Sequence, residues 1–195
     1  MTLRRAGLLA FLALCAFVSG CACGGPKGPA PEVAGEQAPE GTLPELEHAD
    51  VTLFFPAADG TVLVPEKRQI VKTAEPVALA KQVVAELIAG PQQPGSVRAL
   101  PETTVLRQIY LPPDGTAIAD FGPELPAGLG GGSETEVMAV YAIVNALTTN
   151  VPAVTRVTIL VGGQPADSLN GHMDLTRPLR PRQDLVRAAA PATQG

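Results

Sequence analysis

The chain has 195 residues, a formal net charge of −5 and no tryptophan. The acidic balance does not invite nucleic acid, whose binders are strongly basic. All three cysteines, Cys15, Cys21 and Cys23, lie in the first 23 residues, so neither a disulfide framework nor a cysteine zinc site is expected in the remainder.

Residues 1–20, MTLRRAGLLAFLALCAFVSG, set Arg4 and Arg5 ahead of an uncharged apolar run from Ala6 to Val18. A spanning helix needs about 20 apolar residues, so this run reads as a secretory signal. Val18-Ser19-Gly20-Cys21 resembles the lipobox of bacterial lipoproteins. The likeness implies removal of residues 1–20 and acylation of Cys21, each buried methylene adding about 0.8 kcal/mol. The plainer alternative is an ordinary signal peptide with a chance cysteine. Cleavage removes two arginines and no acid, leaving 12 basic against 19 acidic residues, a formal charge of −7. Such a chain is expected to reach the membrane through lipid on Cys21, with no attraction to anionic headgroups.

Residues 21–48 are rich in Pro and Gly without an aromatic, and read as a disordered tether. A single domain over 49–179 follows, burying roughly two-thirds of its unfolded surface. Residues 180–195 read as a flexible tail. Within the domain, VTLFF (51–55) is a short β-branched strand closed by Pro56. AADG turns the chain, and TVLVPEKRQIVK (61–72) returns extended, with Pro65 at an edge or bend. A helix is expected from about Pro76 to Ala89, with Val77, Ala80, Val84, Leu87 and Ile88 as its buried stripe and Gly90-Pro91 as its stop. TTVLRQIYLPPDGTAIADF (103–121) predicts a hairpin around Pro-Pro-Asp-Gly. GPELPAGLGGG is expected to be a flexible loop into a second helix over Ser133–Thr149. Ser133 and Glu136 match a capping box, and Val137, Val140, Tyr141, Val144 and Leu147 form the buried stripe. VTRVTILVG (154–162) is the last strand. The order predicts an α+β domain, with two helices on one face of a mainly antiparallel sheet.

These segments resemble the GerMN domain of sporulation and spore-germination lipoproteins over about Val51–Leu179. The likeness is carried by VTLFFPAADGTVLVPEKR, ALAKQVVAELIAGP, GTAIADFGPEL and AVYAIVNALTTNVPAVTRVTILVGGQPADSLNGHMDLTRPL. It implies a βαββαβ-type domain similar to the ring-building modules of sporulation channels, and an extracytoplasmic adaptor without established catalysis. Spore formation is not implied, because such domains also occur in envelope lipoproteins of bacteria that make no spores.

The candidate site is NGHMDLTRPL, with Gly171, His172, Asp174, Arg177 and Pro178. A catalytic triad would need a nucleophile aligned on His172. Ser133, Ser168 and Thr176 are available, but none sits in a nucleophile-elbow pattern. A metal site would need three ligands, and the only other histidine, His48, lies at the tether's edge. The structural reading takes Gly171 as a turn residue, Asp174 and Thr176 as local hydrogen-bonding groups, Asp174 and Arg177 as opposite charges three positions apart, and Pro178 as the exit. The segment then clasps a sheet or helix edge. GLGGGSE lacks the lysine and spacing of a phosphate-binding loop. Asp120 has no second carboxylate at glycosidase spacing. Phe54, Phe55 and Tyr141 are expected in the core, an exposed Phe on the first strand being the alternative, as a partner surface.

The expected protein is non-catalytic and lipid-anchored on the extracytoplasmic (periplasmic) side of the inner or outer membrane, without metal, cofactor or nucleic acid. Its partner would be an envelope protein or a second copy. Two rivals remain open: a module for cell-wall glycan or a small ligand, and a hydrolase built on His172 and Asp174.

Overall fold

The computed structural model describes residues 46–187. The signal segment, Cys21, most of the tether and residues 188–195 lie outside that range. Strands β1 (His48–Pro56) and β2 (Leu63–Val71) pair antiparallel, His48 opposite Val71 and Pro56 opposite Leu63. Their turn is set by the Asp59 carboxylate, which accepts from the Thr61 amide and hydroxyl at 3.1 and 3.0 Å. Pro65 sits opposite Phe54 in β2, an edge strand where the missing N–H is tolerated.

Helix α1 (Pro76–Ala89) starts at proline and ends at Gly90. Its buried residues are Ala80, Val83, Val84 and Leu87. Val77 and Ile88, expected on that stripe, are exposed and half-buried respectively. Strands β3 (Leu106–Tyr110) and β4 (Thr116–Phe121) form the expected hairpin. Asp114 accepts from the Thr116 amide at 2.9 Å, and Gly115 has φ +81° with the Thr155 hydroxyl 2.9 Å from where a Cβ would stand. Both the dihedral and the close approach require glycine there.

The segment expected as a flexible loop holds a short helix, α2 (Glu124–Gly128), whose Leu125 is fully buried. Helix α3 (Ser133–Asn150) follows, then β5 (Arg156–Val161) and the two-residue β6 (Gln164–Pro165). β4 and β5 are parallel, a pairing that needs a long crossover, supplied by α2 and α3. The α+β class is as expected, its strands divided between a β1–β2 sheet and a β3-β4-β5-β6 sheet.

Every residue from Met138 to Leu147 is buried, where the sequence predicts a stripe. The reason is that α3 packs against β1, α1 and β5 together, and only a helix apolar all round suits that position. Phe54, Phe55 and Tyr141 are buried as well, so β1 presents no exposed Phe. Fully burying a side chain such as Phe55 contributes about 1.5–3 kcal/mol.

Polar side chains inside this core act as backbone partners. Asn150 bonds both backbone groups of Thr52 in β1, at 2.8 and 2.7 Å. On β2, buried Arg68 donates to Glu66 at 2.7 Å, Glu86 at 2.8 Å and the Gly90 carbonyl at 2.5 Å, and lies 5.6 Å from the Phe55 ring centroid. Glu66 also accepts from the Gln92 and Gln93 amides. This cluster ties β2 to the C-terminus of α1, where a cation is favoured by the helix dipole.

Candidate functional site

The singled-out residues lie on a strap, residues 166–187, that follows β6 and runs along α3. Its anchor is Glu136, a residue the sequence assigns to a capping box. The N-cap of α3 is Gly132, with no side-chain capping bond. Glu136 instead points inward, fully buried. Its carboxylate accepts from the amides of Leu169 at 2.7 Å and His172 at 2.9 Å, with the His172 Nδ1 at 3.1 Å. The Asn170 amide adds a further bond. Burial alone would push this carboxyl up, but the converging N–H groups of Asn170, His172 and Leu169 and the His172 ring outweigh it and hold the carboxyl below the ordinary glutamate value.

An ionised carboxylate only accepts, so His172 Nδ1 is the donor to Glu136. Gly171, at φ +85°, lets the chain turn so that amides on both sides of it face one anion. Ser168 closes the turn by accepting from the Gly171 amide at 2.8 Å. Asn170 donates to the Leu129 carbonyl at 3.1 Å, joining the strap to the glycine-rich approach to α3. Leu169 and Leu175 are buried beneath it.

The other expected residues do not join this centre. Asp174 accepts from the Thr176 amide and hydroxyl at 2.9 and 2.6 Å. Those bonds, chiefly the hydroxyl, lower its pKa, with a smaller contribution from the Arg177 charge. Asp174 and Arg177 form no ion pair among the described residues. Arg177 and Pro178 are exposed. Asp120 accepts from the Gly163 amide at 2.8 Å and pairs with Arg107 at 3.4 Å, which fixes the β5–β6 turn.

Past Leu179, where a flexible tail is expected, the chain stays on the domain through Arg187. Leu179 and Val157 exchange two backbone bonds of 2.8 Å. Buried Asn145 takes both backbone groups of Arg182, at 3.0 and 3.2 Å. The Arg182 guanidinium pairs with Asp184 and lies 5.6 Å from the Tyr141 ring centroid. The Arg187 amide donates to the Leu63 carbonyl at 2.8 Å, so the strap links both sheets. Asn145→Ala removes the partner of a backbone N–H and C=O together. It should lower stability by about 1–3 kcal/mol, read as a smaller urea midpoint at constant m. A loss under about 0.5 kcal/mol would mean that water replaces the amide.

The chemistry of this arrangement is limited. His172 is oriented by Glu136 and not by Asp174, and no hydroxyl among the described residues is hydrogen-bonded to its ring. No group of three His, Cys, Asp or Glu residues is placed to hold a metal among the described residues. A groove of about 260 Å³ lies between the β1–β2 turn and the start of α3, with Asp59, Val97, Arg98 and Met138 in its lining. Another of about 250 Å³, between β2 and α1, includes His48. His172 and Asp174 line neither. No helix among the described residues is long and apolar enough to cross a membrane.

The family model described as "Germane: Sporulation and spore germination" matches residues 52–167. The fold is similar to the tandem GerMN domains of the sporulation protein GerM from Bacillus subtilis, at 22% identity and TM-score 0.57, over 70% of this chain and 47% of that one. It is similar to the first of those domains alone at the same identity and TM-score, over 99% of that chain. A candidate lipoprotein from Clostridium perfringens is 25% identical, with TM-score 0.48, over 74% of this chain and 95% of that one. No curated protein matches. One GerMN unit therefore accounts for the described fold, and with the match covering most of the domain the chain belongs to the Germane family of sporulation and spore germination.

Proposed function

We propose that this protein is lipid-anchored on the extracytoplasmic side of a bacterial membrane, where its GerMN domain binds an envelope protein or a second copy of itself without catalysis. The observation that carries this reading is the fate of the one histidine–carboxylate pair among the described residues. Glu136 is committed to three amides of the strap, which leaves His172 as part of a clasp. Family membership supports an adaptor role. The signal-like residues 1–20 and Cys21 support the anchor.

Anchor and adaptor are tested separately. Cys21→Ser should move the protein from the membrane fraction to the soluble extracytoplasmic fraction, whereas retention in the membrane would refute lipidation at that residue. Cross-linking in cells followed by mass spectrometry should recover a discrete protein, or a dimer, joined to the domain. Recovery of cell-wall glycan fragments in place of protein would overturn the adaptor reading.

A further inference from the structure

The net charge hides a strong segregation. Residues 177–187, RPLRPRQDLVR, carry four arginines and one aspartate, whereas residues 46–176 carry seven basic and fourteen acidic side chains. Arg177, Arg180 and Arg187 are exposed, and none forms an ion pair among the described residues. The backbone beneath them is fixed by Val157, Asn145 and Leu63. Pro178 and Pro181 restrict the arginine before each to extended conformations.

A second feature points the same way. The antiparallel bridge between Val157 and Leu179 places Arg180 across from Arg156. Like charges directly opposite one another are destabilising, and of these two only Arg156 has an acid, Asp114 at 2.9 Å. The strap thus concentrates four guanidinium groups within eleven residues; Asp184 pairs with Arg182, and Asp174 and Asp59 feel the charges of Arg177 and Arg187 without forming ion pairs with them.

We propose that this arginine strap is the docking site for an extended acidic segment of a partner protein. The inference rests on the adaptor reading and names the chemistry of its partner. Arginine forks match carboxylates bidentately, and arginine clusters are a recurring reader of acidic motifs. A flat anionic membrane would meet the acidic body within a screening length of about 8 Å, while a thin peptide touches only the strap. An anionic glycan would favour exposed rings for stacking, yet beside the strap Tyr141 is buried beneath Arg182, and the exposed Tyr110 lies on β3 with β4 and β5 between it and the strap.

The test uses the full chain in nonionic detergent and a fluorescein-labelled deca-glutamate peptide, followed by anisotropy. Wild-type protein should bind saturably, and more weakly as salt rises. Arg177→Glu with Arg180→Glu should weaken binding at least about tenfold at an unchanged unfolding temperature, with the paired Arg→Gln changes intermediate. Lys81→Glu, outside the strap, should change it less than about twofold. Equal binding by wild type and the double reversal, or no saturable binding by wild type, overturns the proposal. So does strap-dependent capture of polyphosphate or phosphatidylglycerol vesicles in the absence of deca-glutamate binding. Failure here leaves the adaptor reading to the cross-linking experiment, which does not depend on the partner's charge.

Discussion

Glu136→Ala is expected to destabilise the domain by about 3–5 kcal/mol, because each buried donor left without a partner costs about 1–3 kcal/mol. Three amides and an imidazole N–H lose one acceptor together, and a cavity opens in the wall of α3. Single domains are stable by about 5–15 kcal/mol in total, so the variant should sit near the edge of folding. Glu136→Gln keeps the shape but replaces one acceptor oxygen with a donor NH₂, and should cost less. The pH dependence follows from the lowered pKa. A carboxyl that is more acidic folded than unfolded contributes stability fully present above its unfolded value, near 4.5. That contribution is lost as pH falls through the lower folded value. Urea unfolding of wild type between pH 6 and about pH 3 should show the decline, and Glu136→Gln should flatten it. A wild-type profile no steeper than the variant's would show that Glu136 is not the group responsible.

Arg68→Ala is the second large effect, at about 3–5 kcal/mol. The cost lies less in the lost attraction than in what remains, which is the Glu66 carboxylate buried with its cation gone and the Gly90 carbonyl without its donor. Replacing Arg68 and Glu66 together by Met should recover part of the loss, since most of it comes from leaving a charge buried and uncompensated. Full recovery is not expected, because the Gln92 and Gln93 amides also lose their acceptor. Thermal unfolding of the two variants separates the cases. A double variant no more stable than Arg68→Ala would assign the cost to packing against Phe55 instead of to the stranded carboxylate.

Most of the fold is legible in the sequence because local signals and tertiary packing agree. Pro76 and Gly90 bound α1, Pro-Pro-Asp-Gly closes the β3–β4 hairpin, and β-branched runs form the strands. The parallel β4–β5 pairing is not legible, since pairing direction depends on where the crossover returns and not on either strand's own pattern. Glu136 escapes for a related reason. Four residues into a helix, Ser-x-x-Glu is a sound local cap, and its inward turn is decided by amides some 33 residues later in the chain. The available signal is the setting: Glu136 and Asn145 interrupt a run otherwise apolar on every face, where a polar side chain must find a buried partner. Asn145 and Asn150 obey the same logic, each satisfying a distant backbone segment. The order of residues 180–187 is hidden because Pro-rich, arginine-rich sequence carries no hydrophobic period, and that order comes from partners on α3, β2 and β5.

The histidine–carboxylate pair of this domain fastens the strap, and the strap closes over α3, where every residue from Met138 to Leu147 is buried. The most direct measurement of that claim is amide hydrogen exchange at Leu169 and His172 in wild type and in Glu136→Gln. The clasp predicts slow exchange at both amides in wild type and much faster exchange in the variant, with the Met138–Leu147 amides of α3 still protected. Free exchange at Leu169 and His172 in wild type, or no response to the substitution, would contradict it.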